Sequence, residues 1–415
     1  MSAPEEHRTG PSARTGIRGA RIGVGVCGGI AAYKTADLVS ALVQRGAVID
    51  VMLSHGATQF IRPLTFQALS HRPVFTGVFE GWDAGDAGHV TIAQKADVVL
   101  IAPATADAIA RLANGMVEDM IGAVALATEA PIVIAPAMEH HMWHHPATQR
   151  NLATLREDGV TIVEPESGYL ASGARGDGRL ASQASILHAT RKALGREGAL
   201  AGRGVVVSAG GTREALDPVR YIGNRSSGAM GVALALAALD AGADVTLVAT
   251  PAVDRDSWGG PVLEVESANA MHQALVHSVK KADVLIMAAA VSDFRPRTQK
   301  TSKIKKQADQ ESVSLDLVKN PDIVKSIDEP GLVKIGFAAE TDDLIVNAES
   351  KLVSKGLSMI VANDAVRTIG STRSEATLLF GDRPNVELPE LDKDDLALRI
   401  LAEVTRLVRE RDADD

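Results

Sequence analysis

The sequence predicts an α/β chain of two doubly wound (Rossmann-like) domains, each a parallel sheet wrapped by helices. Three observations lead there. Short runs rich in Val and Ile alternate with longer Ala- and Leu-rich segments from Arg21 onward, the pattern of buried parallel strands and crossover helices. That pattern restarts near residue 204 and brings repeated phrases with it. Gly46-Ala47-Val48 is answered by Gly242-Ala243-Asp244, and Lys95-Ala96-Asp97-Val98 by Lys281-Ala282-Asp283-Val284. Each half also places a glycine-rich turn after its first strand, Gly25-Val26-Cys27-Gly28-Gly29 and Ala209-Gly210-Gly211-Thr212. Spacings of nearly half the chain are far beyond those of repeat arrays, so the phrases mark two similar folds in tandem.

Taken in order, residues 1–20 are polar, carry Pro4 and Pro11, and lack the apolar core of a signal peptide; they read as a disordered leader. A strand is expected over 21–26, a helix over 31–45 stopped by Gly46, and a second strand over 48–53. A helix over 90–96 and strands over 98–102 and 131–135 complete the first domain, 21–187. Residues 188–203, rich in Arg, Lys, Gly and Ala, read as a linker. The second domain, 204–415, opens with a strand over 204–208, a helix over 228–241 and a strand over 244–249.

Composition narrows the function. A chain of 415 residues is long enough to bury two or three cores without covalent staples. Lys plus Arg at 43 against Asp plus Glu at 52 leaves a net charge of -9, which excludes the global basic field that holds a nucleic acid. Cys27 is the single cysteine, so there is neither a disulfide framework nor a cysteine-built zinc site. The most apolar stretch, 121–138, carries Glu129, Pro131 and Pro136 and falls short of a membrane span. A cytoplasmic location is expected.

The turns carry the chemistry. Gly23-x-Gly25-x-x-Gly28-Gly29 brings backbone amides to a helix start, where a phosphate binds. A dinucleotide site would close its second strand with Asp or Glu, but this one ends in Ser54-His55-Gly56, which argues against NAD and suits a mononucleotide phosphate. Pro103-Ala104-Thr105-Ala106-Asp107 offers a second polar rim. In the second half, Ser226-Ser227-Gly228 opens a helix as a cap and anion nest. The basic run Lys300, Lys303, Lys305 and Lys306, read alone, suits a solvated loop as well as a polyphosphate clamp.

Together these residues resemble a known family. Gly25-Val26-Cys27-Gly28-Gly29-Ile30-Ala31-Ala32-Tyr33-Lys34, Arg62-Pro63-Leu64-Thr65-Phe66-Gln67, Gly88-His89-Val90 and Pro136-Ala137-Met138 are similar to the flavin-dependent phosphopantothenoylcysteine decarboxylases. Thr212-Arg213-Glu214 with Asp217-Pro218-Val219-Arg220, Asn224-x-Ser226-Ser227-Gly228, Lys303-Ile304-Lys305-Lys306, Lys319-Asn320-Pro321-Asp322 and Gly336-Phe337-Ala338-Ala339-Glu340-Thr341 are similar to phosphopantothenate-cysteine ligase. Their order resembles the bacterial bifunctional enzymes of coenzyme A synthesis.

The resemblance implies a flavodoxin-like flavoprotein domain holding FMN through Gly28, Gly29, Ile30, Ser54, Phe66, Ala104, Thr105, Asp107 and Met138. In that setting FMN oxidises the substrate thiol, His89 assists proton removal, and the carboxylate leaves as carbon dioxide. His89 stands near a helix start. The resemblance further implies a nucleotide-binding ligase domain that uses CTP and magnesium to make an acyl-cytidylate, which the cysteine amine then opens. Asn224 and Lys303 would be catalytic, with Arg220, Asn224 and Glu139 on substrates. Met287, Ala288, Ala289, Asp293, Lys303, Val318, Lys319, Asn320, Pro321, Phe337, Lys351 and Lys355 would frame the nucleotide. It also implies a homo-oligomer and small-molecule partners only.

Two positions depart from the family pattern. Glu139 stands where Asn is usual, so a substrate carboxylate would meet a like charge unless Glu139 is protonated or turned away. Ser172 stands in the segment 167–173 where many members carry a cysteine acid, so water, the flavin or another lid residue is expected to supply that proton. Cys27 reads as a small residue at a tight turn. His140, His141, His144 and His145 read as a solvated loop without a third metal ligand. Two other functions compete: a flavoprotein oxidoreductase with a non-catalytic nucleotide module, and a metal-dependent hydrolase built on the histidines.

Overall fold

The structure is a computed structural model that describes residues 16–79, 88–305, 312–340, 343–364 and 371–414. Residues 1–15 of the expected leader, Lys306 of the basic run and Thr341 lie outside the described residues. The chain divides into two units, Met1–Arg196 and Glu197–Asp415.

In the first unit, strands β1 (Arg21–Val26), β2 (Val48–Leu53), β3 (Val74–Phe75), β4 (Val98–Ala104), β5 (Ile132–Pro136) and β6 (Thr161–Ile162) form one sheet in the order β3-β2-β1-β4-β5-β6. Every pairing is parallel. The order reverses between β1 and β4, the switch point where open α/β sheets take ligands. Burial on both sides explains the unbroken apolar strands. Val98, Leu100 and Ala102 face one core with α1 (Ala32–Gln44), α2 (Pro63–Ser70) and α8 (Gln183–Gly195). Val99, Ile101 and Ala104 face the other, with α3 (Gly88–Lys95), α4 (Ala106–Ala113), α5 (Met120–Ala127) and α7 (Pro146–Glu157). A hairpin of β7 (Glu166–Tyr169) and β8 (Arg175–Arg179) stands apart from the sheet.

In the second unit the eight-stranded sheet runs β13-β12-β9-β14-β17-β18-β19-β20. Strands β9 (Gly204–Ala209), β12 (Asp244–Ala249), β13 (Val262–Glu264), β14 (Val284–Met287), β17 (Val333–Glu340) and β18 (Met359–Asp364) are parallel. The last two, β19 (Arg373–Leu379) and β20 (Val386–Asp392), are antiparallel. Val205 and Val207 pack toward α9 (Ala229–Asp240) and the C-terminal helix Lys393–Asp414, while Val206 and Leu285 pack toward α11 (Ala268–Ser278). Two small ribbons, β10 (Arg213–Ala215) with β11 (Tyr221–Gly223) and β15 (Phe294–Pro296) with β16 (Leu317–Lys319), stand outside the sheet.

The repeated phrases have a structural cause. Asp97 Oδ2 accepts the backbone N–H of Arg21 at 2.8 Å, and Asp283 Oδ2 accepts that of Gly204 at 2.9 Å; each aspartate pins the first residue of its unit's first strand. Gly46 and Gly242 both take positive φ to end the first helix.

Two boundaries differ from the sequence reading. The linker expected at 188–203 is instead helix as far as Gly195, because Thr190 and Ala193 continue the buried stripe of α8. Leu200 beyond it is fully buried in the second core. The expected leader also gives way to packed chain: Ile17 and Ala20 are buried in the first core, and Ala20 accepts the N–H of Val48.

Candidate active sites at the carboxyl ends of the two sheets

The first site gathers at the ends of β1, β2 and β4. Gly28 follows β1 and lies so close to the turn after β2 that a Cβ would stand 2.6 Å from the Gly56 backbone. No other residue fits there. Gly29 faces Thr105, and Ile30 beyond it is 59% exposed. Ser54 is buried, and its Oγ accepts the N–H of Ala57 at 3.2 Å while its own proton stays available. Thr105 Oγ1 caps α4 by accepting from Ala108. Asp107, in the first turn of α4, is exposed and paired with Arg111 at 2.9 Å. The switch point is therefore rimmed by amides, two hydroxyls and an apolar side chain, a surface able to hold a phosphate and a planar ring.

Phe66 and Ala104 differ from the others. Both are completely buried, so they shape this site from beneath. His89 lies in the first turn of α3, with the imidazole half-buried and Nδ1 shielded from solvent. Met138 donates its N–H to Gly178 O at 2.9 Å, which ties the end of β5 to β8. Glu139 is the N-cap of α6 (His140–Trp143); its Oε2 accepts the N–H of His141 at 2.6 Å. The carboxylate is thus turned onto its own helix. Ser172 is exposed in the turn between β7 and β8.

Cys27 is buried, and burial pushes its thiol up to about 12, against a smaller lowering by a backbone hydrogen bond from Thr105. A buried thiol so raised is poorly suited to nucleophilic attack. The histidines, read as loop, are helix residues and caps. His145 Nδ1 accepts from Ala147, His144 Nε2 lies 3.0 Å from Asp177 Oδ2, and His140 Nδ1 accepts the N–H of Asp177. His140 and His144 thus fasten β8 to α6, and the third possible metal ligand that the sequence reading lacked is Asp177, whose carboxylate and the two imidazoles have ligand atoms within 4.8 Å of one another. The hydrogen bond with His144, then that with Ser167, holds the Asp177 carboxyl below its ordinary range.

In the second unit a cavity of about 620 Å³ opens at the carboxyl ends of the parallel strands. Asn224 lines one wall, its Nδ2 donating at 3.3 Å to both Ala290 O and Val291 O. Met287, Ala288, Ala289 and Asp293 form the floor beyond β14. Lys319, Asn320 and Pro321 form the next wall. That turn is held because Asn320 Nδ2 donates to Ser292 O at 2.7 Å and Arg295 donates to Asn320 Oδ1 at 2.9 Å. Phe337 of β17, with Lys351 and Lys355 at the end of α13 (Leu344–Ser354), closes the far side. Lys355 pairs with Asp322 at 3.1 Å.

Close contacts explain the glycines here. A Cβ on Gly211 would stand 2.5 Å from Asn224 O, and Gly228, at φ +74, has Gly210 N 2.8 Å from its Cβ position. Together these put Asn224 and the start of α9 over the turn after β9.

Lys303, Val318 and Arg220 do not line this cavity. Lys303 is exposed, Val318 is paired with Arg295 in the β15–β16 ribbon, and Arg220 is engaged by Asp217 and Ile304. Motif reading missed Asn363 and Lys393, which do line it. Each stands isolated in sequence, and only the fold reveals them.

Residues 12–195 match the Flavoprotein family, and residues 200–407 match the DNA/pantothenate metabolism flavoprotein C-terminal domain. The chain is 44% identical over 391 residues to the coenzyme A biosynthesis bifunctional protein CoaBC of Vibrio cholerae serotype O1 (strain ATCC 39315 / El Tor Inaba N16961), covering 93% of this chain and 98% of that protein. It is 41% identical over 393 residues to CoaBC of Bacillus subtilis (strain 168), covering 93% and 96%. A solved C-terminal domain of CoaBC aligns at 33% identity with a TM-score of 0.43, over 51% of this chain and 98% of that one.

Proposed function

The chain belongs to the family of bifunctional coenzyme A biosynthesis proteins, enzymes that join a ligase to a decarboxylase, and from that premise we propose the following chemistry for its two sites. The second unit ligates cysteine to 4'-phosphopantothenate at the expense of CTP. The first decarboxylates the 4'-phosphopantothenoylcysteine so formed to 4'-phosphopantetheine with FMN as cofactor.

The observation that carries the ligase reading is the single cavity that draws Asn224, Asp293, the Lys319–Asn320–Pro321 turn, Phe337 and Lys351 from separate stretches of sequence into one polar cleft. The substrate carboxylate attacks the α-phosphorus of CTP and expels pyrophosphate. The cysteine amine then attacks the acyl carbon and expels CMP. Both partners of the first step are anions, so Lys351 and Lys355, which line the cavity, serve to neutralise them; Lys303, outside that lining, is proposed to reach them from the exposed basic segment. Met287, Ala288 and Ala289 frame the nucleotide, while Val318, expected with them, stands outside the lining in the β15–β16 ribbon. Asn224, fixed by two carbonyls, is oriented to hold the acyl intermediate. Arg220 acts at the substrate edge through the segment it grips. Asp293 offers a hard carboxylate oxygen beside the triphosphate, the donor that magnesium prefers.

For the first site, the glycine cradle at Gly28, the Ser54 and Thr105 hydroxyls and the exposed Ile30 fit a flavin mononucleotide. Asp107 and Met138 border it, with Phe66 and Ala104 supporting it from within. FMN, when bound, supplies the two-electron chemistry on the substrate thiol. His89 takes the proton released there. Glu139 spares the substrate carboxylate by spending its charge on the start of α6. Self-association is also proposed; exposed Ile30, Tyr33, Phe60 and Leu64 on the first unit support it. Among the described residues no helix is long and apolar enough to cross a membrane.

Pyrophosphate release with phosphopantothenate, cysteine, CTP and magnesium tests the ligase reading. Release that depends on CTP supports it. Its absence, with a bound flavin retained, would leave the oxidoreductase with a passive nucleotide module.

A further inference from the structure

Lys393 begins the C-terminal helix directly after β20, and its N–H donates to Thr372 O at 3.2 Å. The residue lines the same cleft as Lys319, Lys351 and Lys355, although it comes from the opposite end of the second unit's sequence. No motif brings it forward. Its circumstances differ from those of Lys355, whose charge Asp322 already offsets. Among the described residues Lys393 has no carboxylate partner. It is half-buried, and burial alone holds its ammonium below the ordinary lysine value. An ammonium taken partly out of water without a counter-charge costs stability, and it recovers that cost when a ligand anion reaches it.

We propose that Lys393 is a further binding residue of the second unit's cleft, contacting the phosphate chain of the nucleotide. The proposal rests on the reading of that cleft as a nucleoside triphosphate site. It adds a cation supplied by the β20-to-helix junction to those contributed by α13 and by the turn after β16. One consequence is that phosphate affinity is linked to docking of the C-terminal helix, whose buried Leu396, Ile400 and Val404 anchor Lys393 against the sheet.

The test uses the full chain with Lys393→Gln and Lys393→Arg. Calorimetric titrations compare three probes: CTP with magnesium, cytidine without phosphates, and inorganic tripolyphosphate. Loss of one charge-assisted contact should weaken CTP and tripolyphosphate roughly ten- to a hundredfold in Lys393→Gln. In Lys393→Gln cytidine affinity should hold and the melting temperature should stay level or rise as the uncompensated charge is removed, and Lys393→Arg should stay within about threefold for every probe because the charge is kept. Undiminished CTP affinity in Lys393→Gln overturns the proposal. So does a parallel loss of cytidine, which would put the lysine on the base or ribose. Should the unsubstituted chain bind tripolyphosphate but not CTP, the CTP reading fails while the tripolyphosphate titration still judges Lys393. Binding of neither anion removes both.

Discussion

The carboxylate of Asp217 accepts the backbone N–H of Ile304 at 3.1 Å across the second unit, and Arg220, paired with the same carboxylate at 2.6 Å, donates to the Ile304 carbonyl at 2.7 Å. Both backbone polar groups of one residue are therefore gripped by one ion pair. Ile304 lies between Lys303 and Lys305, so the grip sets where the basic segment starts. Asp217→Asn should lower ligase turnover about tenfold or more through mispositioned lysines, with decarboxylation of supplied 4'-phosphopantothenoylcysteine unchanged. Equal ligase rates for variant and parent would show that the segment needs no such anchor.

The same carboxylate fixes a pH dependence. Burial raises the Asp217 value, but hydrogen bonds from Arg220, Ile304 and Val219 outweigh it and hold the group well below the ordinary 3.8. A depressed carboxylate contributes stability that is complete above its unfolded value and lost as pH falls through the folded one. The anchor should persist throughout neutral and mildly acid conditions and fail only below the usual carboxylate range. Acid unfolding of the Asp217→Asn variant, followed by circular dichroism, should lack the part of the transition that lies there.

Decarboxylation should depend on His89 and not on Ser172. Removing a general base costs about 100- to 10,000-fold, so His89→Asn should abolish most carbon dioxide release while leaving pyrophosphate release intact. Ser172→Ala should leave the rate of 4'-phosphopantetheine formation nearly unchanged, since an exposed serine is a poor acid. A large loss in Ser172→Ala would return the proton donor to that position.

Gly28→Ala should be costly, because the added carbon meets backbone that has no rotamer to yield. A destabilisation of about 1–3 kcal/mol is the range for such overpacking, accompanied by loss of yellow colour on purification. Unaltered melting and flavin content would show that the two turns part without penalty.

Cys27 should be silent to thiol reagents. With the thiol raised to about 12 by burial, the thiolate is scarce at any pH the fold tolerates. Titration with a disulfide reagent should find no reactive thiol in the native protein and a single one in denaturant.

Much of this was legible in the sequence because it depends on local rules. Apolar runs located the central strands to within two residues, and Gly46 and Gly242 ended their helices where glycine must take positive φ. The echoed Lys-Ala-Asp-Val phrases carried real information, since each aspartate does the same work on its own first strand. Legibility failed where tertiary packing overrides composition. Residues 188–195 look like linker but are the second half of a helix whose apolar stripe continues. The histidine cluster looks like loop because its partner, Asp177, arrives from a hairpin more than thirty residues away. Glu139 looked like a misplaced charge until its N-cap role was visible, and Lys393 had no neighbouring motif to announce it.

The most direct test of the account is one incubation of the full chain with 4'-phosphopantothenate, cysteine, CTP and magnesium, followed by mass spectrometry. The account predicts 4'-phosphopantetheine together with CMP, pyrophosphate and carbon dioxide in equal amounts. Consumption of CTP without that product, or no reaction from a flavin-replete sample, would contradict it.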